Sequence, residues 1–208
     1  MVKRLLYAVF CLVGSVSAQW YKELKPAEPP RLILGGDYGA FRISHKDFEQ
    51  VYESRWGGGF GGFAAVRFYG TAYASAKYGS FYRRADNPTA AEGFMESSWK
   101  EKWLKAGVRI RRLPDGRWGS YYGFGAAFYF IDETGNRFVL AGNSSGAAGK
   151  QQGSGFYMEA AVEYLATSKA VIYLEAEVAS GGVGGRTGFE EKSIGGWRFA
   201  AGLSVSPF

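Results

Sequence analysis

The sequence predicts an all-β protein, an eight-stranded antiparallel up-and-down transmembrane β-barrel. Three observations carry that expectation. Apolar and polar residues alternate with a period of two along most of the chain after residue 30, which places one face of each segment in an apolar medium. The connections between these segments are alternately very short and long, so that turns gather on one rim and loops on the other. Glycine reaches 31 residues and aromatics 17% of the 208-residue chain, and much of the glycine lies inside the alternating runs. No stretch after the N-terminus approaches the ~18 consecutive apolar residues of a spanning helix. A mean hydropathy of −0.17 is compatible with a barrel, because only every second residue of a spanning strand meets lipid.

The chain opens on an export signal. Met1-Val2-Lys3-Arg4 is a short positive start, residues 5–13 are apolar, and Gly14-Ser15-Val16-Ser17-Ala18 supplies small residues. Val16 and Ala18 stand where a signal peptidase reads, so cleavage is expected after Ala18. Removing residues 1–18 from the 208 leaves 190, the size of one domain. Cys11, the one cysteine, leaves with the signal; Phe10 before it is too large for a lipoprotein site. The mature chain then has no disulfide, thiol nucleophile or thiolate ligand. Loss of Lys3 and Arg4 lowers the net charge of +6 by two. The bases are not gathered on a helix face, which with export argues against nucleic acid. Anionic lipopolysaccharide is the more natural partner for such a balance. Residues 19–30 are expected to form an N-terminal periplasmic segment, and 31–208 the barrel.

Eight strands are expected at about 31–43, 56–69, 71–83, 99–112, 117–131, 154–166, 170–180 and 194–208, each able to supply the ~9–11 residues of a tilted spanning strand. Tyr69-Gly70-Thr71, Leu113-Pro114-Asp115-Gly116 and Ala166-Thr167-Ser168-Lys169 are the short turns; Pro-Asp-Gly fixes and then reverses the backbone. The long connections are 44–55, 84–98, 132–153 and 181–193. An even strand number brings both ends of the barrel to the short-turn, periplasmic rim.

Facing follows from parity. In the seventh strand Ile172, Leu174, Ala176 and Val178 oppose Val171, Tyr173, Glu175 and Glu177. In the fourth, Leu104, Ala106, Val108 and Ile110 oppose Lys105, Gly107, Arg109 and Arg111. The polar face carries isolated charges among Gly and Ala, as a narrow interior filled by side chains requires. It collects the bases Arg67, Lys77, Lys105, Arg109, Arg111 and Arg198 with the acids Asp37, Glu159, Glu163, Glu175 and Glu177. Bases come mainly from strands two to four and acids from six and seven. Pairing across the interior is expected, since an unpaired buried charge costs several kcal/mol, and the product is a salt-bridge plug. Trp56, Trp99, Trp103, Phe156 and Trp197 toward the loops, and Tyr69, Trp118, Tyr164 and Phe208 toward the turns, are expected to form two interfacial girdles.

The last strand, Trp197-Arg198-Phe199-Ala200-Ala201-Gly202-Leu203-Ser204-Val205-Ser206-Pro207-Phe208, alternates and ends on an aromatic. It resembles the closing strand of Gram-negative outer-membrane barrels, although Pro207 interrupts the usual pattern. Together with the signal, the strand count and the loop asymmetry, it makes the chain similar to small OmpA/OmpX-like barrels. The stretch Asp47-Phe48-Glu49-Gln50-Val51-Tyr52 followed by Trp56-Gly57-Gly58-Gly59-Phe60-Gly61-Gly62 looks like the first loop and second strand of porin-family outer-membrane domains. The resemblance implies the cell outer membrane, insertion by the barrel-assembly machinery through Phe208, and a monomer. Within such families function resides largely in the loops.

Chemistry is sparse. His45 is the single histidine, with Ser44 before it and Asp47 nearby; the His-x-Ser pattern of lipid A deacylase barrels is absent. Glycine runs such as Gly57-Gly58-Gly59 open no helix and are not phosphate cradles. No metal-ligand set and no cofactor is expected. The expected role is non-enzymatic, structural or adhesive through long loops, with Arg84 and the 132–153 loop as first candidates. The alternatives are a lipid A-modifying barrel enzyme and a soluble periplasmic lipocalin-like binding barrel.

Overall fold

Each alternating segment becomes a strand in the computed structural model, which describes residues 29–45, 48–85, 97–112, 116–134, 149–183 and 192–207. The expected signal peptide, most of the 19–30 segment and Phe208 lie outside the described residues. The strands are β1 Leu32–Ile43, β2 Trp56–Tyr69, β3 Ala72–Ala85, β4 Ser97–Arg112, β5 Trp118–Thr134, β6 Gly149–Leu165, β7 Ala170–Val183 and β8 Lys192–Val205. They close in sequence order, every neighbour antiparallel, with β8 returning to β1 from Leu34↔Val205 to Ile43↔Gly196. Closure leaves no edge, so every spanning backbone group has a partner strand.

The loop-side hairpins run further than expected. β5 continues to Thr134 and β6 begins at Gly149, pairing Asp132 with Lys150 inside the stretch expected as loop. Arg84 likewise stands on β3, opposite Ser98. The inward residues Ile131, Val183 and Ile194 remain apolar and buried here, and they hold the strands together after the outward residues have turned polar. At the other rim, Gly70 takes φ +49° in the β2–β3 turn, a conformation that glycine adopts without strain.

The first long connection contains a short helix, α1 Phe48–Tyr52. Five residues are too few to show a helical period in sequence. Phe48 and Tyr52 lie four apart, on one face, and both are fully buried in the barrel mouth. Glu53, at φ 61°, ends the helix in the left-handed region.

Parity sorts the walls as the alternation implies. Lumen-facing Tyr121, Tyr129, Tyr157 and Tyr173 are at most 2% exposed, while Tyr122, Phe124, Met158 and Leu174 on the opposite face are all more than half exposed. One expectation fails: Trp99 and Trp103 belong to the interior, at 0% and 1% exposure, and not to the outer girdle. They share the inward parity of Lys105, and parity decides facing in a strand.

Candidate functional site: the barrel interior and its mouth

The interior is layered. Toward the turns, Ile33, Phe63, Ala65, Tyr73 and Tyr173 form a small apolar cluster. Charged side chains occupy the middle. Toward the loops, Phe41, Phe81, Trp99, Trp103, Tyr129 and Ile131 form a larger cluster closed by Phe48 and Tyr52 of α1.

The middle layer is one connected network. Lys77 Nζ donates to Glu159 at 3.2 Å, to Glu177 at 2.9 Å and to Glu175. Lys105 donates to Glu177. Arg109 gives two bonds to Glu159 Oε1, from Nε at 3.0 Å and from an η nitrogen at 2.8 Å. Arg198 bridges Glu175 at 3.1 Å and Asp37. Tyr121 and Tyr173 donate to Glu175 and Asp37, at 2.6 and 2.9 Å. Arg111 and Glu163 form a separate pair at 2.6 Å nearer the turns. Arg67, on the inward parity of β2, is half-buried at the turn end and stays outside this set among the described residues.

Rings complete the setting. The Arg109 guanidinium sits 4.1 Å from the Phe63 centroid and 4.0 Å from that of Tyr121, a sandwich suited to its weakly hydrated plane. Glycine supplies the room. A Cβ on Gly123 would stand 2.5 Å from Glu159 Oε1, and one on Gly79 the same distance from the Trp103 indole. These positions account for part of the chain's glycine content.

Glu159, Glu175 and Glu177 bring carboxylate oxygens within 4.8 Å of one another, the spacing of a metal-ligand set. Lys77 Nζ bonds all three, and together with Lys105, Arg109 and Arg198 it balances their charges and that of Asp37.

Two further buried carboxylates were not singled out by the sequence reading. Glu101 and Glu133 are both 0% exposed on the loop side. Glu101 accepts from Trp99 Nε1 at 3.2 Å, and Glu133 from the Tyr52 hydroxyl at 3.3 Å. Glu101 shares the parity of Lys105, a signal present in the sequence; Glu133 falls in a stretch expected as loop. Burial, and then the Glu133 carboxylate, push the Tyr52 phenol well above the ordinary tyrosine range. Arg83 donates to the Tyr52 carbonyl at 3.4 Å, and Phe48 stacks on Tyr52 with centroids 4.5 Å apart and meets Trp99 edge-on at 5.3 Å. The mouth is therefore capped by α1. His45 is buried, Ser44 is exposed, and Asp47 lies outside the described residues.

Outside, the wall is apolar from rim to rim. Trp118 and Tyr164 meet edge-on at 5.0 Å on the turn side, with Tyr69 80% exposed nearby. On the loop side Trp56, Phe199 and Trp197 stack in succession, each pair at 6.5 Å. A groove of about 660 Å³, walled by Tyr38, Tyr122 and Phe199 over Ala160, Ala176 and Ala201, opens to this apolar side. An apolar belt between aromatic rims, around an interior filled by side chains with a charged middle layer, is the inverse of a soluble binding barrel.

These features define a class, the small transmembrane β-barrels of the bacterial outer-membrane type. Solved structures share the fold. Neisserial surface protein A superposes with a TM-score of 0.60 at 13% identity, over 84% of this chain and 96% of that one. OprG of Pseudomonas aeruginosa gives 0.53 at 12% identity, over 86% and 96%. Ail of Yersinia pestis, in complex with the heparin analogue sucrose octasulfate, gives 0.51 at 13%, over 84% and 97%. No protein-family model and no curated protein matches the chain by sequence.

Proposed function

We propose that this protein is a non-enzymatic outer-membrane barrel with a plugged, non-conducting lumen and a structural or surface-interaction role exercised at its loop side. The observation that carries the reading is the layered filling of the interior, from the Tyr73 and Tyr173 cluster through the Lys77 network to the α1 cap. An eight-strand barrel has room for side chains and not for a solute path. With the interior occupied, the outer wall and the loop-side rim are what remain for recognition. Outer-membrane lipid and lipopolysaccharide are then the standing partners, with a surface ligand taken by the loops. Ail, which has the same fold, is a protein that binds a heparin analogue, and a saccharide partner fits this reading. The burial of His45 disfavours a lipid-facing catalytic base. A monomer inserted by the assembly machinery through Phe208 completes the proposal.

The test is electrical. Protein refolded into a planar bilayer, its closed state confirmed by a heat-modifiable band on gel electrophoresis, is expected to leave the membrane insulating. Steady single-channel conductance from folded protein would overturn the reading.

A further inference from the structure

The outer wall beyond the apolar belt is charged on one flank. On β5 the outward column runs Trp118, Ser120, Tyr122, Phe124, Ala126, Phe128 and Phe130 before reaching Asp132. At ~3.3 Å per residue and a tilt of ~40°, Trp118 to Phe130 covers roughly 30 Å, the hydrocarbon thickness. Asp132 and its register partners therefore stand at the headgroup level of the loop-side leaflet. Those partners are basic. Lys100 of β4 aligns with Asp132, and Asp132 aligns with Lys150 of β6. One step toward the membrane Lys102 aligns with Phe130, and one step outward on β3 Arg84 stands opposite Ser98. Lys100 and Lys150 are exposed and Lys102 is half-buried. Its stem can lie along the wall while the ammonium reaches the interface. Among the described residues no ion pair engages any of these three lysines, and Asp132 is the single acid between them.

The other flank differs. The outward positions at the loop-side ends of β7, β8, β1 and β2 carry Ser180, Gly182, Ser193, Arg42 and Trp56, with Arg42 the one cation among those described residues.

We propose that Lys100, Lys102 and Lys150 form a docking surface for the phosphate groups of an anionic glycolipid in the outer leaflet. The inference deepens the surface-interaction reading above and rests on it. Its direction comes from geometry: these side chains leave the outer wall sideways, at headgroup height, toward neighbouring lipid and away from the mouth. Its chemistry comes from the donors, compact ammonium charges suited to phosphate oxygens. Lys100 and Lys150 are two strand spacings apart, ~10 Å, so that one headgroup with two phosphates can meet both.

Refolded mature protein in nanodiscs provides the assay, with bis-phosphorylated lipid A and its fully dephosphorylated form as probes and retained lipid read by native mass spectrometry. Wild type is expected to retain the phosphorylated form at least ~10-fold more tightly, with the preference weakening as salt rises. Combined Lys100→Gln, Lys102→Gln and Lys150→Gln should abolish the preference, while Arg42→Gln on the opposite flank leaves it intact. Undiminished preference in the triple variant, or equal loss in Arg42→Gln, overturns the proposal. Tighter binding of a soluble sulfated oligosaccharide than of lipid A at the same lysines would also overturn it, in favour of a ligand from outside the membrane. All three substitutions lie on the exterior, and heat-modifiable mobility reports that the variants fold. Failure here leaves the insulating lumen untouched, and conductance would sink the closed-lumen reading without changing lipid retention.

Discussion

Arg198 of β8 and Asp37 of β1, 161 positions apart in sequence, are ion-paired inside the barrel across the seam where the last strand meets the first. Both side chains are fully buried, so the pair joins the two ends of the fold in a place water does not reach. Breaking a buried pair from one side leaves an uncompensated charge, at a typical cost of ~3–5 kcal/mol. Asp37→Ala should destabilise by that order, since among the described residues Arg198 then retains its ion pair with Glu175 alone. Denaturant unfolding in lipid vesicles, followed by the mobility shift, measures it. Combined Asp37→Asn and Arg198→Gln should cost clearly less than the sum of the single changes.

Lys77 has a heavier task, because one ammonium serves three carboxylates. Lys77→Met keeps the volume, removes a hydrogen-bond donor from Glu159, Glu175 and Glu177, and leaves their network one positive charge short. Its loss is expected to equal or exceed that of Asp37→Ala, at least ~3 kcal/mol. Adding Glu177→Gln should recover part of the stability, since it removes the one excess negative charge that the loss of Lys77 leaves in the network. A double variant no more stable than Lys77→Met would mean that Lys105 alone already neutralises Glu177.

The strand count, the closure and the facing were legible because a period of two is a local property: Glu175 and Glu177 share a face whatever lies opposite. Pairing across the lumen is not local. That Lys77 meets acids of both β6 and β7 follows from tilt and stagger, which the pattern along one strand does not encode. The aromatic plug was obscured for another reason. Trp99 and Trp103 look interfacial by residue type, and their parity with Lys105 is the better guide. The α1 cap left too short a trace, two aromatics four apart in a polar connection. Arg67 has the right parity and the wrong depth.

Gly79 lies beneath the Trp103 indole, and a Cβ there meets ring atoms at 2.5 Å. The wall is backbone and the ring is hemmed in by Phe41 at 5.4 Å, so neither can yield freely. Gly79→Val is expected to cost ~1–3 kcal/mol by overpacking and to alter the near-ultraviolet circular dichroism of the folded barrel. Gly70→Ala, at the exposed turn, should leave that spectrum unchanged. An unaltered spectrum in Gly79→Val would place Trp103 elsewhere.

Closure of the mouth depends on Phe48, Tyr52 and their contact with Trp99. Phe48→Ala and Tyr52→Ala should each loosen α1 while leaving the strands paired. Acrylamide quenching of tryptophan fluorescence should rise in both, and the increase should vanish in a Trp99→Phe background. The Tyr52 phenol also sets an alkaline limit. Its folded-state proton is held more firmly than in the unfolded chain, first by burial and then by Glu133. Its contribution is therefore fully present below the unfolded value of ~10 and is lost as pH rises through the higher folded value. Quenching should stay low up to pH ~10 and rise above it. In Tyr52→Phe, which keeps the ring and lacks the ionisable group, the rise should be absent or displaced to higher pH. An identical alkaline rise in Tyr52→Phe would assign the opening to another group and remove Tyr52 as the latch.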